Sequence, residues 1–211
     1  MNIRKLLTVL TGFFSIALLQ GQAVEITPTY GYQFGGKLNY SGGYLKVNDS
    51  GMFGITVGYE AATDYMIEVT YINMSTELRI RDAFFPEART ETRLSDLNVD
   101  WFMLGGTRYF GDDKVKPFFG GQLGVSVGSP KNPDPDIAPR GLNTVTKFSF
   151  GFKGGVVVML SEKVGINLQG NLLFPVQWGG FYVGTGGAGI NTGSTIIMGG
   201  FSGGLVFRLG T

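Results

Sequence analysis

The sequence lacks two residue types on which many catalytic and metal sites depend, because none of its 211 residues is a histidine or a cysteine. Ser-His-Asp and Cys-His catalysis are therefore excluded, and so is a zinc site with histidine ligands. Without cysteine the chain has neither a disulfide nor a lipoprotein signal. We expect no enzyme activity, and no catalytic, cofactor-binding or metal-binding residues.

Charged residues are missing from a long stretch near the C-terminus. The 43 residues from Gly165 to Phe207 contain no Asp, Glu, Lys or Arg. A transmembrane helix is the competing interpretation, but Gly179 to Gly193 is crowded with glycine. Each glycine costs about 0.8–1 kcal/mol relative to alanine in a helix. In "LSEKVGINLQGNLLFPVQW" apolar and polar residues alternate instead, which is typical of strands with one apolar and one polar face.

The N-terminus has the pattern of an export signal. Arg4 and Lys5 precede an apolar stretch, and small residues lead up to Ala23. The pattern predicts a cleaved signal peptide over residues 1–23 and a single domain over residues 24–211. Removing the signal leaves 15 basic and 16 acidic residues. This near-balance gives no support for nucleic-acid binding.

The mature chain contains eight alternating segments. We assign to their apolar faces, one residue from each segment in chain order, Tyr30, Phe53, Val69, Trp101, Leu123, Phe150, Leu168 and Phe201. Three connections are short ("AATD", "GDDKVK" and "SEK"). The four long ones run over Ser41–Ser50, Arg81–Arg93, Gly128–Leu142 and Trp178–Asn191. Short turns alternating with long loops are typical of an outer-membrane barrel.

The opposite face of the segments carries the polar and charged residues. Its members are Gln33, Lys37, Glu60, Glu68, Asp100, Arg108, Gln122, Lys153, Asn167, Gln169 and Arg208. On a lipid-facing surface, Arg or Lys at mid-bilayer would cost about 2–4 kcal/mol each, so this face is expected to look inward.

We interpret five of these residues as a structural ion-pair network in the lumen: Glu68, Asp100, Arg108, Lys153 and Arg208. Glu68 and Asp100 are also the inward candidates for a carboxylate pair in acid–base chemistry. The structural role is favoured, because side chains can fill an eight-stranded lumen.

With its predicted signal, eight amphipathic segments and the stretches "LSEKVGINLQGNLLF" and "GGFSGGLVFRL", the chain resembles small bacterial outer-membrane β-barrel proteins of the OmpA/OmpX/OmpW-like group, the outer membrane β-barrel domain group. The resemblance covers the whole mature chain. It implies an all-β, eight-stranded antiparallel up-and-down transmembrane β-barrel, integral to the outer membrane of a Gram-negative bacterium. Its implied partners are outer-membrane lipid and the barrel-assembly machinery during insertion.

These features favour a non-catalytic barrel with a structural or surface-interaction role, in which the long extracellular loops contact a ligand or protein. Two alternatives remain open at this point. One is a narrow channel or transporter for small apolar molecules, and the other is an exported soluble ligand-binding β-barrel.

Overall fold

The computed structural model describes residues 23–40, 42–84, 86–112, 114–139, 141–176, 181–184, 187–190 and 196–210. The predicted signal peptide therefore lies outside the described residues except for Ala23. Trp178 also lies outside them. The strands are β1 (Val24–Gln33), β2 (Lys37–Tyr40), β3 (Gly43–Val47), β4 (Ser50–Ala62), β5 (Tyr65–Asp82), β6 (Thr92–Tyr109), β7 (Val115–Lys131), β8 (Val145–Met159), β9 (Val164–Val176), β10 (Phe181–Gly184), β11 (Gly187–Ile190) and β12 (Met198–Leu209).

Eight of these strands close into an antiparallel barrel in the order β1-β4-β5-β6-β7-β8-β9-β12, and β12 pairs back with β1. The β4–β5, β6–β7 and β8–β9 turns lie at one end of the barrel, here called the turn end. The longer connections lie at the other, the loop end. A short 3₁₀ turn over Pro86–Ala88 lies in the β5–β6 connection. No helix within the described residues is long and apolar enough to cross a membrane.

The apolar faces of the strands point outward, as the alternation predicts. On β9, for example, Leu168 is 57% exposed whereas its neighbour Asn167 is 4% exposed. The same holds for seven of the eight barrel strands, and the exception is β6. A soluble barrel buries its apolar face, so the exported soluble alternative is wrong.

The loop end contains more regular structure than the sequence predicts. The alternation predicts one continuous first strand from Glu25 to about Tyr40, but that strand breaks at residues 34–36. Strands β2 and β3 instead form a hairpin that continues the barrel wall by pairing with β5. The sequence predicts a loop over residues 41–50, but this stretch contains the whole of β3. The last long connection likewise contains the β10–β11 hairpin. Strands β5, β6 and β7 extend well beyond the apolar band toward this end.

Candidate functional site

The centre of the lumen holds a buried ion pair. Lys153 Nζ lies 2.5 Å from Glu68 Oε2, and each side chain is less than a tenth exposed. The same carboxylate oxygen accepts a hydrogen bond from Thr107 Oγ1 at 2.7 Å. In the register, Gly120 of β7 lies between Thr107 and Lys153. A Cβ on Gly120 would lie 2.5 Å from Thr107 Oγ1 and 3.2 Å from Lys153 Cε, so the missing side chain gives Lys153 room to reach β5.

A second polar layer lies nearer the turn end. Arg208 Nη2 bonds Glu60 Oε2 at 2.6 Å, and Arg208 Nη1 lies 3.8 Å from Glu25 Oε1. Tyr109 donates its hydroxyl hydrogen to Glu25 Oε2 at 3.0 Å. These contacts connect β12, β1, β4 and β6 across the lumen. Glu25 and Tyr109 are not among the residues that the sequence predicts in the lumen, although Glu25 has the same strand phase as Gln33.

Amide side chains fill the lumen on the other side of the ion pair. Asn171 Nδ2 donates to Gln33 Oε1 at 2.9 Å, and both residues are buried. Gly200 lies between them in the register, and a Cβ there would come within 2.3 Å of Gln33 Oε1. An enclosed cavity of about 10 Å³ borders Asn171, Gln122 and Lys153. Such a cavity has room for about one water molecule.

The loop half of the lumen is filled mainly by apolar side chains. Trp101 is fully buried at 0% exposure, within a cluster of inward-facing side chains from five strands. The other members of this cluster are Met52, Ile72, Met74, Leu97, Val99, Met103, Leu173 and Met198. Val47, Leu78 and Ile196 pack against it from the loop end. Four of the nine residues are methionines, whose flexible side chains fill irregular spaces well.

Three of the five predicted network residues face the lumen, and two do not. Glu68 and Lys153 pair with each other, while Arg208 pairs with Glu60 and Glu25 in the separate layer near the turn end. Asp100 and Arg108 lie on the outer face of β6. Their predicted position in the lumen was wrong, and so was the lipid-facing position predicted for Trp101. Lys37, also predicted to point inward, lies over the ring of Tyr44 at the loop end.

Asp100 and Arg108 lie at the two edges of the lipid-facing band of β6. Asp100 Oδ1 accepts hydrogen bonds from Tyr71 at 2.6 Å and from Asn73 at 2.8 Å. Arg108 is exposed near the turn end, 5.7 Å from the ring centroid of Phe110. Asp100 and Arg108 are eight residues apart, and a strand of that length covers about 27 Å. A tilt of about 40° reduces this to about 20 Å along the membrane normal, close to the ~25 Å apolar band of such barrels.

The error on β6 has a physical cause. Val99, Trp101 and Met103 form the more apolar of its two faces, and the rule that the apolar face of a strand meets lipid predicts that they point outward. In this barrel the loop half of the lumen is itself apolar, so that rule fails there. The register settles the assignment, because Trp101 lies opposite the buried Ile72, and Asp100 lies opposite Asn73.

No family model matches the chain, and no curated protein matches it either. Solved structures of outer-membrane proteins do match its fold. Neisserial surface protein A (NspA) superposes with a TM-score of 0.55 at 16% identity, over 90% of this chain and 98% of that one. OprG from Pseudomonas aeruginosa gives a TM-score of 0.58 at 14% identity, over 90% and 97%.

The fold is therefore that of the small bacterial outer-membrane β-barrels. The protein is integral to the bacterial outer membrane. Its exposed apolar exterior is the surface that contacts lipid. In such barrels the short turns face the periplasm and the long loops face outside the cell. The turn end is accordingly periplasmic, and the loop end is extracellular.

Proposed function

We propose that this protein is a non-catalytic, non-conducting outer-membrane barrel that acts structurally or through surface interactions of its extracellular strands and loops. The observation that carries the proposal is the filled lumen. The Glu68–Lys153 pair occupies its centre, and the Trp101 cluster fills the extracellular half above it.

Energetics favour a lumen that stays closed. An eight-stranded barrel is just wide enough to be filled by side chains. Leaving one partner of a buried ion pair uncompensated costs about 3–5 kcal/mol. Separating Glu68 from Lys153 to open a path for ions is therefore a rare event unless each group gains a new partner. The enclosed cavity beside the pair, at about 10 Å³, is too small to form an ion path by itself.

The environment of the lumen carboxylates also supports a structural role. Glu68 is held by Lys153 and Thr107, Glu60 by Arg208, and Glu25 by Tyr109. A carboxylate that works as a general acid or base has to be within reach of a substrate proton. The described lumen leaves no substrate-sized space beside Glu68.

Conductance in planar bilayers tests this proposal. Folding of the purified full chain is first checked by the difference in gel migration between boiled and unboiled samples. We expect no steady single-channel current from the folded protein, at the level of a protein-free bilayer. A steady, sizeable conductance from folded protein would overturn the proposal.

A second candidate function is a route for small apolar molecules, because the extracellular half of the lumen is apolar and rich in methionine. The polar layers at Gln33–Asn171 and Glu68–Lys153 oppose continuous passage. Protein-dependent uptake of a small aromatic hydrocarbon by cells that express the barrel, compared with cells carrying an empty vector, would favour the channel. Equal uptake by the two would favour the closed surface module.

A further inference from the structure

A recess opens at the periplasmic mouth of the lumen, between the β6–β7 turn, the β8–β9 turn and the end of β12. Its volume is about 560 Å³, within the range of about 300–1,000 Å³ that is typical of ligand pockets. Four of the side chains that border it are cationic: Lys114, Lys116, Lys163 and Arg208. The recess therefore has both the size and the charged groups of a binding site.

Backbone hydrogen bonds hold the rim of the recess in place. The N–H of Met159 donates to the carbonyl of Lys114 at 2.8 Å, and the N–H of Arg208 donates to the carbonyl of Lys163 at 2.8 Å. Ser161 Oγ accepts the N–H of Val164 at 3.1 Å, which closes the β8–β9 turn. Because the rim is bonded before a ligand arrives, little ordering of the backbone opposes binding.

The cationic side chains of β7 and β12 point into the mouth. Lys116 lies two residues before Phe118, and Arg208 lies two residues after Val206. Phe118 and Val206 are buried in the lumen, so strand alternation directs Lys116 and Arg208 inward as well. Phe118 and Val206 belong to an apolar cluster with Met159, which itself borders the recess. A cationic rim thus surrounds an apolar floor.

Three of the four cations have no carboxylate bound to them. Arg208 already pairs with the carboxylates of β1 and β4. Lys114, Lys116 and Lys163 make no ion pair with any residue that the structure describes. Among the described side chains that border the recess, Glu162 is the one carboxylate. The recess therefore has a local excess of two positive charges.

Acidic residues of the neighbouring turns do not remove this excess. Asp64 and Asp112 do not border the recess, and both are exposed to water. Water weakens the interaction of such exposed carboxylates with a distant ammonium group, and dissolved salt screens it. A carboxylate that enters the recess meets lysines that no other carboxylate has bound.

Barrel width limits what can enter. An eight-stranded lumen is just wide enough for side chains, so a folded partner cannot insert into it, whereas the end of an extended chain can. Two carboxylates on such an end, the terminal one and one side chain, match the excess of two positive charges. An apolar side chain next to them would contact Met159 and Leu160.

We propose that the recess binds the acidic C-terminal end of a peptide on the periplasmic side of the membrane. Lys114, Lys116 and Lys163 hold its two carboxylates through charge-assisted hydrogen bonds, for which each ammonium group has three donors. This inference goes beyond the proposed function, because the recess lies at the opposite end of the barrel from the extracellular strands and loops.

The test measures binding of labelled tetrapeptides by the folded full chain in detergent micelles, using fluorescence anisotropy. The acidic probe has two alanines, a leucine and a C-terminal glutamate with a free terminus. The neutral probe has glutamine in place of glutamate and an amidated terminus. The mouth variant carries Lys114→Gln and Lys116→Gln. The matched control carries Lys131→Gln and Lys147→Gln, which remove the same charge at the extracellular end. Gel migration without boiling checks that each variant is folded.

We expect the wild type to bind the acidic probe about tenfold more tightly than the neutral one, because each of two ion pairs contributes a few-fold. This preference should fall as salt rises. The mouth variant should lose the preference, and the extracellular control should keep it. Lys114→Arg combined with Lys116→Arg retains both charges and should also keep it. Equal binding of the two probes by the wild type, or an unchanged preference in the mouth variant, would overturn the inference.

Glutarate, a free dicarboxylate without an apolar side chain, separates a peptide ligand from a small acid. We expect unlabelled acidic peptide to displace the probe at a lower concentration than glutarate does. Displacement at equal concentrations would overturn the assignment to a peptide. A folded wild type that binds neither peptide but also conducts no ions would remove this inference and leave the proposed function intact.

Discussion

The Glu68–Lys153 pair is the single interaction on which the closed lumen depends most. Replacing Lys153 with methionine leaves the carboxylate of Glu68 buried and without its cation. We expect the free energy of unfolding of this variant to be about 3–5 kcal/mol lower than that of the wild type. The double variant Glu68→Gln, Lys153→Met removes both charges and should recover most of the loss. Urea unfolding in micelles, followed by gel migration, measures all three proteins.

Lys163→Met provides the control for that comparison, because Lys163 lies in an exposed turn at the periplasmic end. It should change the unfolding free energy by less than about 0.5 kcal/mol. If Lys153→Met behaved like Lys163→Met, the pair would not be a buried structural element.

Single residues also mark the limit of what the sequence predicts. The inward phases of Glu68 and Lys153 follow from alternation alone, because both lie among lipid-facing neighbours. Their pairing does not follow, since it depends on the register that places Gly120 between Thr107 and Lys153. A glycine opposite a long charged side chain is a weak signal that becomes readable only when the strand partners are known.

At the scale of elements, β6 gives the sharpest test of which face meets lipid. Leu104 is 59% exposed at the middle of its apolar band, so we expect Leu104→Arg to destabilise the barrel by about 2–4 kcal/mol. Arg108→Leu lies at the edge of the band and should be nearly neutral. Unfolding free energies in lipid vesicles measure both variants, and a neutral Leu104→Arg would contradict the assigned faces.

The contact between the β2–β3 hairpin and the β5–β6 connection should depend on pH. The hydrogen bond from Tyr44 and the charges of Lys46 and Arg79 outweigh desolvation and hold the pKa of Glu91 below its ordinary value of 4.5. Because the pKa is lower in the folded protein, ionised Glu91 stabilises the contact above pH 4.5. This stabilisation is lost as the pH falls through the pKa that Glu91 has in the folded protein. Chemical shifts of the Tyr44 and Glu91 amides should therefore move only below pH 4.5. The same shifts should stay flat in Glu91→Gln.

Element boundaries explain why the extracellular end was the least predictable part of the fold. Residues 37–40 alternate like a continuation of the first strand, and residues 41–49 contain glycine, polar residues and only short apolar runs, which is typical of a loop. They form a hairpin because the overhanging part of β5 offers an unpaired edge, to which β3 adds. That edge results from strand length, and the two-residue alternation carries no information about it.

The whole molecule combines an apolar exterior with a divided interior. The larger apolar cluster fills most of its extracellular half, while the ion pairs lie at the centre and toward the periplasmic end, beside a smaller apolar cluster of Phe118, Val157, Met159 and Val206. This division explains why alternation assigned seven barrel strands correctly and β6 incorrectly.

Quenching of Trp101 fluorescence tests this account most directly. The chain has two tryptophans, so the variant Trp178→Phe leaves Trp101 as the only reporter. In lipid vesicles we expect Trp101 to be protected both from acrylamide in water and from brominated lipid, because it is fully buried in a filled lumen. Strong quenching by acrylamide would reveal an open, water-filled lumen, and strong quenching by brominated lipid would place Trp101 on the outer wall. Either result would contradict the account.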